Sequence, residues 1–166
     1  MNLTTSRLTV RYLNEEDNAL ILELLTSPTW LEFIGDRGVH TLEDADGYIA
    51  RMRGKYVQLG FGFCLVQLAD STKIGICGLI QREGLPDVDI GFALLPRFAG
   101  HGYALEAASV TLEYARDHLK LPRLAGITTP DNTRSIRLLE TLGLRFERTV
   151  KLEPDGVDLN YYARDL

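Results

Sequence analysis

The chain has 166 residues, 45% of them hydrophobic and 25% charged, the make-up of a soluble globule with enough chain for one core without disulfide or metal staples. Its formal net charge of −5 argues against a duplex nucleic-acid binder that must contact many phosphates. No apolar run reaches the ~20 residues of a membrane span, and Met1 to Val10 lacks the basic start and apolar stretch of a secretory signal.

Arg7 to Tyr12 alternates as a strand does, and Asn14 followed by Glu15, Glu16 and Asp17 reads as a capped helix start. That helix runs to about Leu25, where Ser27-Pro28 breaks it. A short apolar piece with Trp30, Phe33 and Ile34 follows, then a loop bracketed by Gly35 and Gly38. Thr41 and Asp44 cap a second helix reaching about Lys55, with Tyr48, Ile49 and Met52 on one face. Three strands are expected at Phe61 to Leu68, Lys73 to Gln81 and Val88 to Leu95, forming an antiparallel meander. Cys64 and Cys77 lie within the first two, in apolar surroundings, so both are expected as buried free thiols, in keeping with a reducing cytoplasm.

After Pro96 the period changes: Leu105, Ala108, Leu112, Ala115 and Leu119 recur at steps of three and four, one stripe of a helix from near Gly102 to before Pro122. Arg123 to Thr128 is a short strand. Asp131 and Asn132 offer N-caps for a helix bearing Ile136, Leu139 and Leu142 and closed by Gly143. Two last strands, Leu144 to Leu152 and Val157 to Arg164, flank Glu153-Pro154-Asp155-Gly156. Nothing resembling a linker interrupts this order, so residues 1–166 are read as one domain.

The chemistry is concentrated where the strand ending at Leu95 feeds a glycine-containing loop that opens into a helix. Gly100 and Gly102 carry no side chain to block close approach, and the first helical turn leaves N–H groups unpaired at the positive end of the dipole. Such an arrangement binds a diphosphate. A Walker loop is excluded because no Gly-Lys-Ser/Thr follows the glycines, and a dinucleotide fold wants a parallel βαβ unit rather than a meander before its glycine turn.

Arg97-x-x-Gly100-x-Gly102, within the run Pro96 to Ala107, resembles the pyrophosphate signature of the GCN5-related N-acetyltransferases (GNAT), and in particular its ribosomal-protein N-terminal acetyltransferase (RimJ/RimL-like) branch. Asn132-Thr133-Arg134-Ser135, continuing to Gly143-Leu144, is similar to a second motif of that branch, in the right order and at family-like spacing. The resemblance implies an α+β fold with a mixed, mostly antiparallel sheet of about seven strands flanked by helices, and a V-shaped opening between the middle strands. It further implies transfer of an acetyl group from acetyl-coenzyme A, by direct attack in a ternary complex, to the amine of a small molecule or a protein N-terminus. No metal is implied, no nucleic acid or membrane partner, and in some members a homodimer.

The cofactor contacts so implied are Phe92, Ala93 and Leu94 through their backbone, then Arg97, Phe98, Ala99, Gly100, His101, Gly102, Tyr103 and Ala104, with Asn132 and Ser135. Many members carry a general-acid tyrosine where Leu139 stands here, so the resemblance passes that role to Ser135, which otherwise caps the helix. Asp89, Asp87 and Glu153 are the candidate bases, with deprotonation by solvent also open. Trp30, Phe33 and Tyr48 would wall the acceptor site or simply fill core. Two other readings share the same motifs: use of a different acyl-coenzyme A donor, and a non-catalytic acyl-coenzyme A-binding module.

Overall fold

Local capping sets the N-terminal elements of the structure, a computed structural model describing residues 1–166. The Asn14 side chain accepts from the Glu16 N–H while Asp17 reaches back to the Asn14 N–H, starting a 3-10 turn over Glu15–Asp17 that runs into helix α1, Asn18–Leu25. Ser27 caps the short α2, Pro28–Phe33, with proline in its first turn. Thr41 and Asp44 form a second capping box at the head of α3, Leu42–Leu59. That helix outlasts the expected end at Lys55 because Tyr56 continues the packed stripe of Tyr48, Ile49 and Met52.

A single sheet of eight strands organises the rest: β1 (Asn2–Thr4), β2 (Leu8–Tyr12), β3 (Phe63–Leu68), β4 (Lys73–Ile80), β5 (Asp89–Leu94), β6 (Arg123–Thr128), β7 (Arg145–Val150) and β8 (Leu159–Asp165), in the spatial order β1-β2-β3-β4-β5-β6-β8-β7. The eighth strand, beyond the seven expected, is β1; at three residues it is too short to show a period and exists because it pairs antiparallel with β2. Every ladder is antiparallel except β5–β6, which α4 (Tyr103–Asp117) connects. Helix α5, Thr133–Thr141, leads from β6 into β7.

Strand alternation divides the core between the two faces of the sheet. Cys64, Val66 and Cys77 point to the side covered by α4, where Ala107, Ala108, Leu112 and Ala115 pack, and Leu139 of α5 joins the same cluster. Leu65 and Ile76, one residue out of phase, point to the other side, beneath α1, α2 and α3. The α4 stripe is rotated from its expected centre: Thr111 is buried within it, whereas Leu105 is only half-buried and Leu119 lies past the helix end. Cys64 and Cys77 face each other across β3–β4 as free thiols, and burial pushes the Cys77 thiol up to about 12 and Cys64 higher still.

Candidate functional site

The parallel pair β5–β6 is registered at one position only, Asp89 with Ala125, and is closed there by the Ala125 N–H donating to Val88 O at 2.9 Å. Beyond that point β5 stays paired with β4 as far as Leu94, while β6 follows β8. The two middle strands therefore diverge, and a cleft of about 1340 Å³ opens between them. Gly91, Phe92, Ala93 and Leu94 line one side, Ile127 to Thr129 and the head of α5 the other.

At the far end of β5 the chain makes a 3-10 turn, Pro96–Phe98, and then the glycine loop. Gly100 and Gly102 have φ of +82° and +79°, a left-handed conformation that costs side-chain-bearing residues ~1 kcal/mol or more. None of the six successive amides from Gly100 to Leu105 donates to a protein acceptor; the first amide of the segment to do so is that of Glu106, to Gly102 O at 3.1 Å. Phe98, Ala99, Gly100, Gly102, Tyr103 and Ala104 all line the cleft. This is a ready anion cradle at a helix N-terminus.

The cradle is braced from behind by a contact between residues 99 positions apart. Arg7 donates to the Glu106 carboxylate through Nε at 2.7 Å and Nη2 at 2.6 Å, donates to His101 O through Nη1 at 2.9 Å, and lies 4.6 Å over the Tyr103 ring. Burial alone would raise the Glu106 pKa, yet the hydrogen bonds from Thr5 and Arg7 hold it below its ordinary value.

Two of the expected cradle side chains are not part of the cleft. The Arg97 guanidinium is engaged by Glu23 of α1 and stacks on Phe98 at 5.1 Å, and the exposed His101 contributes its carbonyl to Arg7. Asn132 and Ser135 do line it. Asn132 Oδ1 accepts from the Ser135 N–H at 3.2 Å, a capping bond, whereas Ser135 Oγ has no hydrogen-bond partner in the protein and is half-buried. Leu139 is 1% exposed and packs so close to β6 that a Cβ on Gly126 would sit 2.4 Å from it. It is a core residue and has no access to a reacting atom.

Of the three carboxylates read as bases, Asp89 stands at the vertex of the opening. It is 0% exposed, faces Arg82 Nε at 3.1 and 3.2 Å, and lines the cleft. Burial pushes its carboxyl up to about 6, the Arg82 charge holding it back from going further. Glu153 is exposed at the cleft mouth, in the connection between β7 and β8. Asp87 points elsewhere, taking a hydrogen bond from Tyr161 Oη at 2.6 Å and pairing with Arg123 at 3.3 Å.

Trp30, Phe33 and Tyr48 all line the opposite wall, and the wall and the core are one structure: Trp30 and Tyr48 belong to the cluster under α1, α2 and α3. Trp30 Nε1 donates to Gly35 O at 3.1 Å, fixing the turn after α2. Three features carry no local sequence signal: the Arg82 partner of Asp89, the Arg7 brace, and Thr129, whose buried Oγ1 beside the cleft has no hydrogen-bond partner. No group of three or more His, Cys, Asp or Glu side chains is arranged to hold a metal ion, and no helix is long and apolar enough to cross a membrane.

The sequence model of the acetyltransferase (GNAT) domain matches residues 7–145. The uncharacterized N-acetyltransferase YnaD of Bacillus subtilis (strain 168) is 27% identical over 167 aligned residues, covering 98% of this chain and 96% of that protein. Among solved structures, a GNAT-family acetyltransferase from Bacillus anthracis superposes with a TM-score of 0.84 at 26% identity, over 99% of this chain and 98% of that one. RimJ of Mycobacterium smegmatis, solved in complex with CoA-disulfide, superposes with a TM-score of 0.81 at 22% identity, over 95% and 81% of the two chains.

Proposed function

Because this chain belongs to the GNAT acetyltransferase family, we propose that it transfers the acetyl group of acetyl-coenzyme A directly to a primary amine. The observation that carries the proposal is the run of six unpaired amides from Gly100 to Leu105, all but His101 lining a cleft of about 1340 Å³. The amides suit a diphosphate, and the volume exceeds the ~300–1,000 Å³ of a single small-molecule site, leaving room for donor and acceptor together. The solved complex of Mycobacterium smegmatis RimJ with CoA-disulfide, on the same fold, supports coenzyme A as the ligand.

Bound acetyl-coenzyme A would supply an acetyl thioester, whose carbonyl carbon would bond to the amine nitrogen as its bond to sulfur breaks, releasing coenzyme A. The chain's residues would do the rest. The open edge of β5 from Phe92 to Leu94 presents backbone groups to the pantetheine arm, and an N–H there steadies charge developing on the carbonyl oxygen. Asp89, poised near neutral pH, takes the proton the amine must lose, through water. Ser135 Oγ, free of protein partners and lining the cleft, delivers a proton to the departing sulfur.

Titration calorimetry with acetyl-coenzyme A tests the binding half: saturable heat at micromolar ligand is expected, and no heat at high micromolar ligand overturns the proposal. Ser135→Ala should lower kcat by roughly a hundredfold, the scale of a lost general acid, with acetyl-coenzyme A affinity nearly unchanged. Undiminished kcat would leave Ser135 as a helix residue only.

Asp89 predicts a pH limb. Its base form is populated above about 6, so kcat should fall with a single-proton slope as pH drops through that value. Asp89→Asn should lower kcat by roughly a hundredfold and erase the limb, because the carboxamide keeps the shape beside Arg82 and cannot titrate. An intact limb in the folded variant would place the base elsewhere.

A further inference from the structure

The chain is acidic, with a formal net charge of −5, but its cleft is basic: six Lys and Arg side chains line it against three Asp and Glu. Two of the cations, Arg134 and Arg137, stand on α5, on the β6 side of the cleft. The other four come from the α2–α3 segment (Arg37, Arg51 and Lys55) and from the β4–β5 connection (Arg82). Arg82 is fixed to Asp89 at the first residue of β5. The cradle begins past the last residue of that strand, and six extended residues separate the two ends by about 17 Å. A diphosphate lying on Gly100 to Leu105 cannot reach the Arg82 end.

Arg37 and Arg51 share that end, both acting with Arg82 on Tyr48, and neither they nor Lys55 has a carboxylate partner within ion-pair distance. The contrast within α3 is informative. Arg53, which does not line the cleft, pairs with Glu15 at 3.0 Å, whereas Arg51 and Lys55, one turn apart, line it unpaired. The Arg51 guanidinium stands 6.0 Å from the centre of the Tyr48 ring, on the wall with Trp30 and Phe33. Burial pushes the Tyr48 phenol up to about 12 although Arg37, Arg51 and Arg82 all act to lower it, so the three charges converge on one side chain of this wall. Since Asp89 neutralises Arg82, Arg37 and Arg51 remain as uncompensated charge facing the acceptor half.

We propose that the acceptor is an amine that also carries an anion, a carboxylate or a phosphate, held by Arg37 and Arg51 while the amine is presented toward Asp89. This rests on the acetyl-transfer reading above and adds to it the substrate class. Arginine is suited to the task because its planar fork meets both oxyanions with paired hydrogen bonds. The anion can belong to a free metabolite or to an acidic residue close behind a peptide N-terminus, and the two sources share this chemistry.

The test uses the full chain and acetyl-coenzyme A at saturation, with thiol release as readout, on three matched acceptor sets. These are butylamine, putrescine and γ-aminobutyrate; ethanolamine and O-phosphoethanolamine; and the C-terminally amidated peptides Ser-Lys-Ala, Ser-Ala-Ala and Ser-Asp-Ala. The anionic member of at least one set should show kcat/KM about tenfold above its neutral partner, a preference that weakens with added salt. Preference in the first two sets identifies a small-molecule source and in the third a peptide. Arg37→Gln combined with Arg51→Gln should remove most of that preference, through KM rather than kcat, in protein whose circular dichroism and melting temperature match the parent. Neutral or cationic members equal or superior in every set, including no release with any anionic amine, overturn the proposal, as does a preference that survives both substitutions. Failure of the underlying reading shows separately, as absence of heat on titration with acetyl-coenzyme A.

Discussion

Replacing Gly100 by aspartate should weaken acetyl-coenzyme A binding by about a hundredfold, ~2.8 kcal/mol. Gly100 is the better of the two loop glycines for this test. A Cβ there meets nothing within 4 Å, whereas one on Gly102 would lie 3.3 Å from Arg7 Nη2, which could pair with a new carboxylate and mask it. At Gly100 the added charge stands in the cleft wall among amides that have no other acceptor. Two charges ~4 Å apart near a protein surface interact by up to ~4 kcal/mol, so repulsion between this carboxylate and one bound phosphate suffices for the effect. The backbone contributes a second, smaller cost, because φ of +82° strains a residue with a side chain by ~1 kcal/mol, least for Asp and Asn. Gly100→Ala separates the two: it keeps the strain without the charge, and calorimetry should find its affinity within about tenfold of the parent. Equal losses in both variants would mean that loop conformation, not charge, governs binding. Unchanged affinity in folded Gly100→Asp would remove the diphosphate from this loop altogether.

What could be read from the sequence was what short-range geometry encodes. The two capping boxes at Asn14/Asp17 and Thr41/Asp44, the strand Arg123–Thr128 and the glycine loop each declare themselves within a few residues, and each stands where expected. The positions that escaped depend on distant partners. Strand β1 is defined only by its pairing with β2, and the Arg7 brace reaches across 99 residues to Glu106. Arg97 illustrates the converse. Its place in the motif suggests a phosphate contact, but Glu23 of α1, which no local pattern associates with it, draws its guanidinium out of the cleft. The basic wall of the cleft was legible only in part: Arg51 and Arg53 could be read as meeting an acidic partner or as an exposed helix face, of which only Arg51 lines the cleft, while Arg37 and Lys55 look like ordinary surface residues until the α2–α3 segment folds over the opening. A net charge summed over the chain even has the wrong sign for the site.

The second large effect is expected away from the cleft, at Asp17. Its carboxylate is 0% exposed and accepts from Arg11 Nη1 and Nη2, each at 3.0 Å, from the Asn14 N–H at 2.8 Å, and lies 2.7 Å from Lys73 Nζ. One side chain thus ties β2, the head of the helical layer and the start of β4 together. Asp17→Ala strands two cations and an amide, and removing one partner of a buried ion pair costs ~3–5 kcal/mol. The lower end applies here because Arg11 and Lys73 keep some access to water. A loss of about 3 kcal/mol should lower the melting temperature by roughly 6–12 °C in a chain of this size. Asp17→Asn, which retains an oxygen acceptor for the Asn14 N–H, should recover part of it. The sign of the pH dependence discriminates between charge and shape. Burial alone would raise the Asp17 pKa, but the bonds from Arg11, Lys73 and Asn14 overcome it and hold the group below its ordinary 3.8. Its contribution is therefore complete above that value and disappears as pH falls through the lower, folded-state value. Urea unfolding of parent and Asp17→Ala should accordingly differ by the full amount at pH 7 and converge in acid. A difference that persists unchanged where the parent's carboxyl is protonated would assign the loss to packing rather than to charge. Since the layer secured by Asp17 carries Trp30 and Phe33, the same variant should also show earlier local opening of this wall of the cleft, read as faster amide exchange in α1 and α2 than in β6 and β8.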